Sequence, residues 1–212
     1  MTPLELEQEV CYSSISALGQ FVPLSIGFDE EKVKEEIESL GEGWEVYNPR
    51  KPHYRRKGLS LTSLDGSVSG RVDLDSLLEH NKIEGTSLDE MSFKTKTKYW
   101  NSLNSISEPL RKVESFLGRS HIIKFEAGGF FPPHRDYGNS FRLIAFFNNS
   151  PNSTVFLIDD KKVIFQTAKL YFADTRKVHS IFSFENDSMI LVLNVELCMP
   201  AVDSVYGLLE QP

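Results

Sequence analysis

The segment FPPHRDYGNSFRL, residues 131–143, holds a histidine and an aspartate that are separated by one residue. On an extended backbone, the side chains of His134 and Asp136 leave the same face and can converge on one ion. A second histidine, His179, opens the segment HSIFSFE much later in the chain, so a sheet that folds back can bring it to the same place. The types and spacing of these residues therefore predict that His134, Asp136 and His179 bind one metal ion.

Two neutral imidazoles and one carboxylate on one side of a metal leave the opposite coordination positions open, as in the facial triad of non-haem Fe(II) sites. A His-x-Asp pair alone is a weak motif, because a single histidine at a strand start is more often a core or turn residue than a ligand. Its surroundings strengthen the metal interpretation: a Gly-Gly pair precedes it, a β-rich run follows it, and His179 opens the penultimate strand candidate.

Composition limits the class of protein. With 212 residues and 40% hydrophobic content, the chain can build one large domain, or a core with an elaborated N-terminal half. The net charge of −7 argues against a general polyanion binder, so nucleic acid is not the expected partner. Cys11 and Cys198 provide neither a disulfide framework nor a Cys-x-x-Cys metal pair. The N-terminal residues lack the features of a signal peptide, and no apolar run is long enough to span a bilayer, which together predict a cytoplasmic, reducing location.

From residue 121 onward, the sequence consists of short β-rich segments that are separated by turn residues. The seven strand candidates are HIIKFEA, FRLIAFF, STVFLI, KVIFQ, AKLYFAD, HSIFSFE and MILVLNVEL. Their even spacing, without an intervening helical period, favours an antiparallel sandwich or jelly roll over a parallel α/β sheet. We therefore expect a mainly β fold with flanking helices, in which residues 120–198 form a barrel with an open mouth.

Residues 1–119 indicate mixed structure. FVPLSI (21–26) and GLSLTSL (58–64) resemble strands, and apolar residues at three- and four-residue steps predict helices over 28–43 and 97–118, the second bent or divided at Pro109. The apolar stripes of these helices need a sheet to cover, so we expect the N-terminal part to pack on the barrel and 199–212 to form a C-terminal tail.

The most basic stretch of the chain, residues 50–57, lies between prolines and a glycine and indicates a solvated loop. A basic loop that contains Tyr54 could also help to recognise an acidic substrate or nucleic acid. Its lack of regular aromatic interleaving makes that second interpretation the weaker one.

The segment 121–198 resembles the double-stranded β-helix core of Fe(II)/2-oxoglutarate-dependent oxygenases, a cupin-like jelly roll. KFEAGGFFPPHRD resembles the glycine-containing approach to the first two metal ligands, and VHSIF with MILVLNVE resembles the strand pair of the distal histidine. PPHRDYGNSFRL is most similar to the aspartyl/asparaginyl β-hydroxylase group, and RLIAFFNN is also similar to prolyl hydroxylases. The resemblance covers somewhat over a third of the chain.

The resemblance implies that His134, Asp136 and His179 hold Fe(II), with 2-oxoglutarate as cosubstrate and dioxygen as the oxidant. Decarboxylation of 2-oxoglutarate to succinate would accompany hydroxylation of a C–H bond in a protein side chain or a small molecule. Nothing in the sequence identifies that primary substrate or the oligomeric state.

One position departs from the family pattern. Many members carry an arginine or lysine after the distal histidine, which binds the far carboxylate of 2-oxoglutarate, but Ser188 and Met189 occupy that register here. The β-hydroxylase group has an arginine shortly after the first histidine, and Arg142 is similar in placement. A buried guanidinium in FRLIAFF needs an anion, and its fork suits a carboxylate, whereas on a half-exposed strand it would face solvent. We therefore expect Arg142 to bind the far (C5) carboxylate of 2-oxoglutarate in place of that missing cation. Further candidates are Lys124, Arg135 and Arg176.

Two alternative functions remain open at this stage. A cupin-like metal dioxygenase or isomerase would use the same barrel without 2-oxoglutarate, and the missing cation favours it. A non-catalytic β-sandwich interaction module would carry the three metal-ligand candidates incidentally.

Overall fold

The protein is described here by a computed structural model over residues 2–41, 43–68, 71–148 and 153–210. The helices of these ranges are α1 (Pro3–Ser16), α2 (Glu30–Ser39), α3 (Arg71–Leu74), α4 (Leu77–Glu84), α5 (Lys98–Ser102), α6 (Asn104–Ser107) and α7 (Met199–Tyr206). Their strands are β1 (Phe21–Gly27), β2 (Glu45–Val46), β3 (Arg56–Ser60), β4 (Thr62–Ser63), β5 (Thr95–Lys96), β6 (His121–Phe125), β7 (Phe130–His134), β8 (Ser140–Phe147), β9 (Thr154–Ile158), β10 (Lys161–Lys162), β11 (Lys169–Ala173), β12 (His179–Ser183) and β13 (Ser188–Glu196). None of the helices so described is long and apolar enough to cross a membrane.

The strands β6 to β13 divide equally between two antiparallel sheets. In the larger sheet, β6, β13, β8 and β11 are neighbours in that order, and in the smaller sheet β7, β12, β9 and β10 are neighbours in that order. This order is that of a double-stranded β-helix, or jelly roll. The fold class that the sequence predicted is therefore confirmed.

Strands from the N-terminal half extend the larger sheet at both edges. β1 pairs with β11 on one side, and β3 pairs with β6 and carries β2 on the other. These added strands satisfy backbone groups of β6 and β11 that an isolated barrel would leave unpaired. Residues 120–198 thus share one sheet with segments from the first 60 residues of the chain.

Two apolar clusters form the core on opposite faces of the larger sheet. On β8, whose eight residues are all buried, Leu143 belongs to the cluster beneath the helices, and Phe146 to the cluster between the sheets. The helix-side cluster includes Val33 of α2 and Trp100 of α5. Because side chains alternate along a strand, a strand buried on both faces is apolar almost throughout, which explains the sequence FRLIAFF.

The helix predicted over 97–118 is wrong. Two short helices, α5 and α6, are separated at Leu103, whose backbone leaves the helical region, and turns and a 3-10 turn at Glu114–Phe116 follow. Pro109 has no N–H to continue a helical ladder. The apolar residues that suggested the helix are nevertheless buried, because successive turns can also present every third or fourth residue to the core.

Other elements also differ from the predictions. Residues 199–206 of the predicted C-terminal tail form α7, which buries Ala201, Val202 and Val205 in the helix-side cluster. KVIFQ is not a strand beyond Lys162, and α1 was not predicted although Thr2 and Glu5 form a capping box at its start. Strand β7 was not predicted because its segment, FFPPH, contains two prolines. The prolines are tolerated there because β7 lies at the edge of the smaller sheet. The turn residues predicted between FRLIAFF and STVFLI lie mostly at 149–152, outside the described residues.

Candidate metal centre

The two histidines meet because their strands pair. His134 ends β7 and His179 begins β12, and the two residues are partners in the antiparallel register. Their ring centroids lie 4.1 Å apart. Asp136 follows β7 directly, and its backbone N–H donates to the carbonyl of Thr175 at 2.9 Å. The structure therefore brings the three metal-ligand candidates together.

The ligand atoms of the three side chains all lie within 4.8 Å of one another. His134 Nε2 is 3.7 Å from Asp136 Oδ1, and His179 Nε2 is 3.9 Å from Asp136 Oδ2. These separations are longer than direct hydrogen bonds, so the three groups converge without bonding tightly to each other.

Backbone carbonyls fix the tautomer of both histidines. Nδ1 of His134 lies 2.8 Å from the carbonyl oxygen of Pro132, and Nδ1 of His179 lies 3.1 Å from that of Lys177. A carbonyl only accepts, so each Nδ1 must carry the hydrogen, and each Nε2 presents its lone pair to the space beside Asp136. Metal-binding histidines are commonly oriented in this way, and the donor set therefore fits a divalent cation.

The electrostatics of the site favour the protonation states that a metal requires. Burial lowers the pKa of His179, which keeps the ring neutral at physiological pH. Burial would raise the pKa of Asp136, but the positive charge of Arg142 is the largest of the effects that oppose it, and the net pKa lies below the ordinary value. A neutral imidazole and an ionised carboxylate are the forms that bind metal.

The three candidate ligands lie in the wall of a cavity of about 110 Å³ between the two sheets. At roughly 10–15 Å³ for each water, it has room for several water molecules or one small organic acid. The apolar lining residues are Ile123, Phe131, Ile144, Phe156, Ile181, Ile190 and Val192. The polar lining residues besides the ligand candidates are Tyr47, Glu90, Arg119, His121, Arg142, Thr175 and Asn194.

Arg142 is buried in the cavity wall and does not face solvent. Its Nε lies 3.2 Å from Asp136 Oδ2, and its Nη1 donates to Ser140 Oγ at 2.6 Å. Its Nη2 is 3.8 Å from Oε1 of Glu90. The guanidinium thus already contacts a candidate metal ligand.

The structure does not bring the other predicted cations into the cavity. His121, Ile123 and Phe125 of β6 face the smaller sheet, so the alternation places Lys124 on the opposite face. Lys124 Nζ lies 4.6 Å from the ring centroid of Trp44 and 3.7 Å from Asp187 Oδ1. The prediction that Lys124 approaches the cosubstrate is therefore not supported by its position. Arg135 is exposed, and Arg176 stacks on Tyr12 and donates to the Gly138 carbonyl.

Sequence reasoning missed several polar residues of the cavity. His121 was expected only to open a strand, yet it is 3% exposed, and burial together with Arg119 and Arg142 keeps its pKa well below the ordinary value. Its Nε2 lies 3.3 Å from the hydroxyl of Tyr47. Arg119 donates to the carbonyl of Asp73 at 2.8 Å. The sequence offered one signal for His121: it lies two residues from Ile123 on a strand candidate, so the two side chains are expected on the same face.

The fold and the site together define a double-stranded β-helix with a candidate two-histidine, one-carboxylate metal centre at its cavity. No protein-family model and no curated protein matches the chain. A 2OG-Fe(II) oxygenase family oxidoreductase from Burkholderia pseudomallei is similar in structure, with 12% identity, a TM-score of 0.48, and coverage of 88% of this chain and 90% of that chain.

Two other solved structures illustrate the range of similar proteins. A prolyl hydroxylase from Trichoplax adhaerens, in complex with a hypoxia inducible factor oxygen degradation domain peptide fragment, is 11% identical, covers 95% of both chains and has a TM-score of 0.47. KdgF from Halomonas sp. is 16% identical over 36% of this chain, with a TM-score of 0.31. That match spans 66% of the KdgF chain, slightly under two thirds of its length.

Proposed function

We propose that the protein is an Fe(II)- and 2-oxoglutarate-dependent dioxygenase that hydroxylates a C–H bond of a protein side chain or a small molecule. One observation carries the proposal: the Nε2 atoms of His134 and His179 and the carboxylate of Asp136 converge at the wall of a cavity between the sheets. Three ligands on one side of a metal leave room for a cosubstrate and dioxygen.

Fe(II) with bound 2-oxoglutarate supplies the oxidative chemistry, in which dioxygen is consumed, succinate and carbon dioxide are released and a C–H bond is hydroxylated. The residues of the chain orient the metal ligands and shield the site from water. The carbonyls of Pro132 and Lys177 hold the two imidazoles in the tautomer that presents Nε2. Arg142 keeps Asp136 ionised and aimed at the same point.

The apolar part of the cavity serves to exclude water. Ile144, Ile181 and Ile190 come from three different strands and surround the interior. A lining of this kind strengthens the electrostatic contacts of a bound cosubstrate, because it lowers the local dielectric. The substrate C–H bond would then meet the metal centre in a largely dry pocket.

Anaerobic titration with Fe(II), with and without 2-oxoglutarate, tests the proposal. We expect one iron per chain and a visible charge-transfer band that appears only when 2-oxoglutarate is added. His134→Ala, Asp136→Ala and His179→Ala should each abolish the band, while His80→Ala on α4, outside the cavity, serves as the matched control and should keep it.

The same titration separates the alternative functions. Iron binding that is indifferent to 2-oxoglutarate would support a cupin-like metal enzyme without that cosubstrate. The observation that favours this second candidate is that β13 lines the cavity with Ile190, Val192 and Asn194, so that strand contributes no cation. Absence of iron binding would support a non-catalytic interaction module.

A further inference from the structure

Arg56 is a buried arginine without an anion. It lies on β3, is 4% exposed, and its Nε and Nη1 atoms are buried without a hydrogen-bond partner. Among the described residues no carboxylate forms an ion pair with it. Buried arginines are normally paired, because the desolvation of a charge is costly unless an anion or hydrogen bonds offset it.

Aromatic rings surround the Arg56 guanidinium instead. Its Cζ lies 3.6 Å from the ring centroid of Phe131, 4.9 Å from that of Tyr54 and 5.0 Å from that of Tyr47. Aromatic faces attract a cation but do not accept its in-plane N–H donors in the way a carboxylate does. Burial lowers the pKa of Arg56 to about 10, so the group is still protonated at neutral pH.

The other two arginines near the cavity already have acceptors. Arg119 donates to the carbonyls of Asp73 and Asp75, and Arg142 contacts Asp136 and Ser140. Among the buried arginines of the described residues, Arg56 is therefore the one with N–H groups that have no hydrogen-bond acceptor. Buried N–H groups without a partner indicate that a ligand supplies the hydrogen-bond acceptors.

The strand register places Arg56 at the end of the barrel that lies away from the metal-ligand candidates. Arg56 pairs with Phe125 of β6, and Phe125 pairs with Ser188 of β13, so the three residues form one row across the larger sheet. Alternation puts all three on the face that looks into the barrel. With strands about 4.8 Å apart, the Cα atoms of Arg56 and Ser188 are roughly 10 Å apart. Arg56 thus provides a cation in the row where β13 has a serine.

Two residues connect the guanidinium to the cavity. Phe131 and Tyr47 line the cavity and also contact Arg56. The centroid of the Phe131 ring also lies 5.9 Å from that of the His134 ring. Because one aromatic ring contacts both the guanidinium and a candidate metal ligand, the two groups are close enough for a short dicarboxylate to reach from the metal centre to Arg56.

We propose that Arg56 binds a carboxylate of the cavity ligand, namely the carboxylate at the end that lies away from the metal. This carboxylate would contact the guanidinium between Phe131 and Tyr47. This inference rests on the proposed function, in which the ligand is 2-oxoglutarate and the carboxylate is the one at C5. Arg142 then serves the metal-proximal end through Asp136, and Arg56 replaces the cation that β13 lacks.

Calorimetric titration of the Mn(II)-loaded protein, which does not turn over, tests the assignment with two ligands. 2-Oxopentanoate has the same chain length as 2-oxoglutarate but a methyl group in place of the far carboxylate. Wild type should prefer 2-oxoglutarate about ten- to hundredfold, since a charge-assisted bond is lost with the methyl compound. Arg56→Met and Arg56→Gln should remove this preference and leave the affinity for 2-oxopentanoate unchanged, while Arg56→Lys should restore part of it.

The possible outcomes distinguish the inference from the proposed function. Wild-type protein that binds neither 2-oxo acid would overturn the proposed function and the inference with it. A wild-type preference that survives in the Arg56 variants but disappears in Arg142→Gln would overturn the inference alone, because Arg142 would then bind the far carboxylate.

A stability measurement separates a binding role from a structural one. Arg56→Met replaces an unpaired buried charge with an apolar side chain of similar length, so the ligand-free variant should unfold at a temperature no lower than wild type. Addition of 2-oxoglutarate should raise the melting temperature of the Mn(II)-loaded wild type but not of the variant. A lower melting temperature without ligand, together with an undiminished ligand-induced rise, would show that Arg56 is structural and would overturn the inference.

Discussion

The chemistry proposed for His134 and His179 depends on which ring nitrogen carries the hydrogen. The carbonyls of Pro132 and Lys177 decide this, and because they are main-chain atoms no side-chain substitution removes them. The third ligand candidate is oriented differently, since Asp136 depends on the side chain of Arg142. Its position can therefore be tested by mutation.

Arg142→Gln is expected to weaken the affinity for Mn(II) roughly 10–100-fold, the usual effect of removing a side chain that orients a metal ligand. The cause is that Asp136 loses its cationic partner and is no longer held toward the two histidines. Calorimetry measures the affinity, and Arg111→Ala, a substitution at an exposed arginine outside the cavity, is the control. Equal affinities for Arg142→Gln and wild type would mean that the Asp136 contact does not orient a ligand.

Asp73 predicts a pH dependence of stability. Both of its carboxyl oxygens are buried without a hydrogen-bond partner among the described residues, and burial raises its pKa from 3.8 to about 6, against the attraction of Arg119. A folded-state pKa above the unfolded value means that the folded protein binds the proton more tightly. The contribution of Asp73 to the free energy of unfolding should thus fall as the pH rises from about 4 to above 6, by at most about 3 kcal/mol.

Asp73→Asn removes the titrating group and should remove this loss of stability. The variant should gain stability relative to wild type as the pH rises through the same window. Urea denaturation of both proteins at several pH values between 4 and 8 measures the difference. A difference that stays constant over this range would contradict the assignment of a raised pKa to Asp73.

At the scale of elements, the start of β7 is tightly enclosed. A Cβ on Gly129 would lie 2.6 Å from the carbonyl oxygen of Arg55 and 2.8 Å from that of Glu126. Both atoms belong to the backbone and cannot turn away as a flexible side chain could. Gly129 directly precedes β7, the strand that ends at His134.

Gly129→Ala is therefore expected to lower the free energy of unfolding by about 1–3 kcal/mol, the usual range for overpacking a rigid site. Gly27→Ala is the matched control, because a Cβ there meets only the carbonyl oxygen of Ala168 at 3.8 Å, an ordinary contact. Chemical denaturation measures both variants. Similar stabilities for the two would indicate that β7 can shift at little cost.

The sequence predicts elements well where both faces of a strand are buried. β8 and β13 are apolar almost throughout, and the segments FRLIAFF and MILVLNVEL identified them. β7 was hidden because its prolines are unusual in strands, and its edge position is a property of the whole sheet. The residues at 97–118 kept their predicted burial but not their helix, since periodicity reports which side chains face the core and not the backbone between them.

Some residues of the candidate site could likewise be predicted from the sequence, and others could not. The His-x-Asp pair is local and could be found from its spacing, and His179 could be found because it opens a strand candidate. His121 and Arg56 could not, because their places beside the cavity depend on the register between β3 and β6, strands that are about 65 residues apart in the chain. No local pattern specifies such a register.

At the scale of the whole molecule, the barrel depends on the N-terminal half. β1 and β3 cover the edges of the larger sheet, and α2, α5 and α6 contribute to the apolar cluster on its outer face. We therefore propose that residues 1–119 and 120–198 are not separable domains. The stretch 50–57 was predicted to be a solvated loop, but Arg56 and Lys57 belong to β3 and Arg56 is buried, so this stretch is part of the same unit.

A fragment of residues 119–212 is expected to be insoluble or to unfold without a cooperative transition, because it would expose two unpaired sheet edges and the apolar face beneath the helices. Expression of the fragment beside the full chain, followed by urea denaturation, measures this. A soluble fragment with a sharp transition would show that the barrel folds independently.

We propose above all that His134, Asp136 and His179 bind one metal ion within the double-stranded β-helix. Anomalous diffraction at the iron edge, from crystals grown anaerobically with Fe(II) and 2-oxoglutarate, tests it most directly. We predict a single iron peak bonded to Nε2 of His134, Nε2 of His179 and one carboxylate oxygen of Asp136, with 2-oxoglutarate in the cavity beside it. An iron peak elsewhere, or none at these three residues in crystals that contain iron, would contradict the claim.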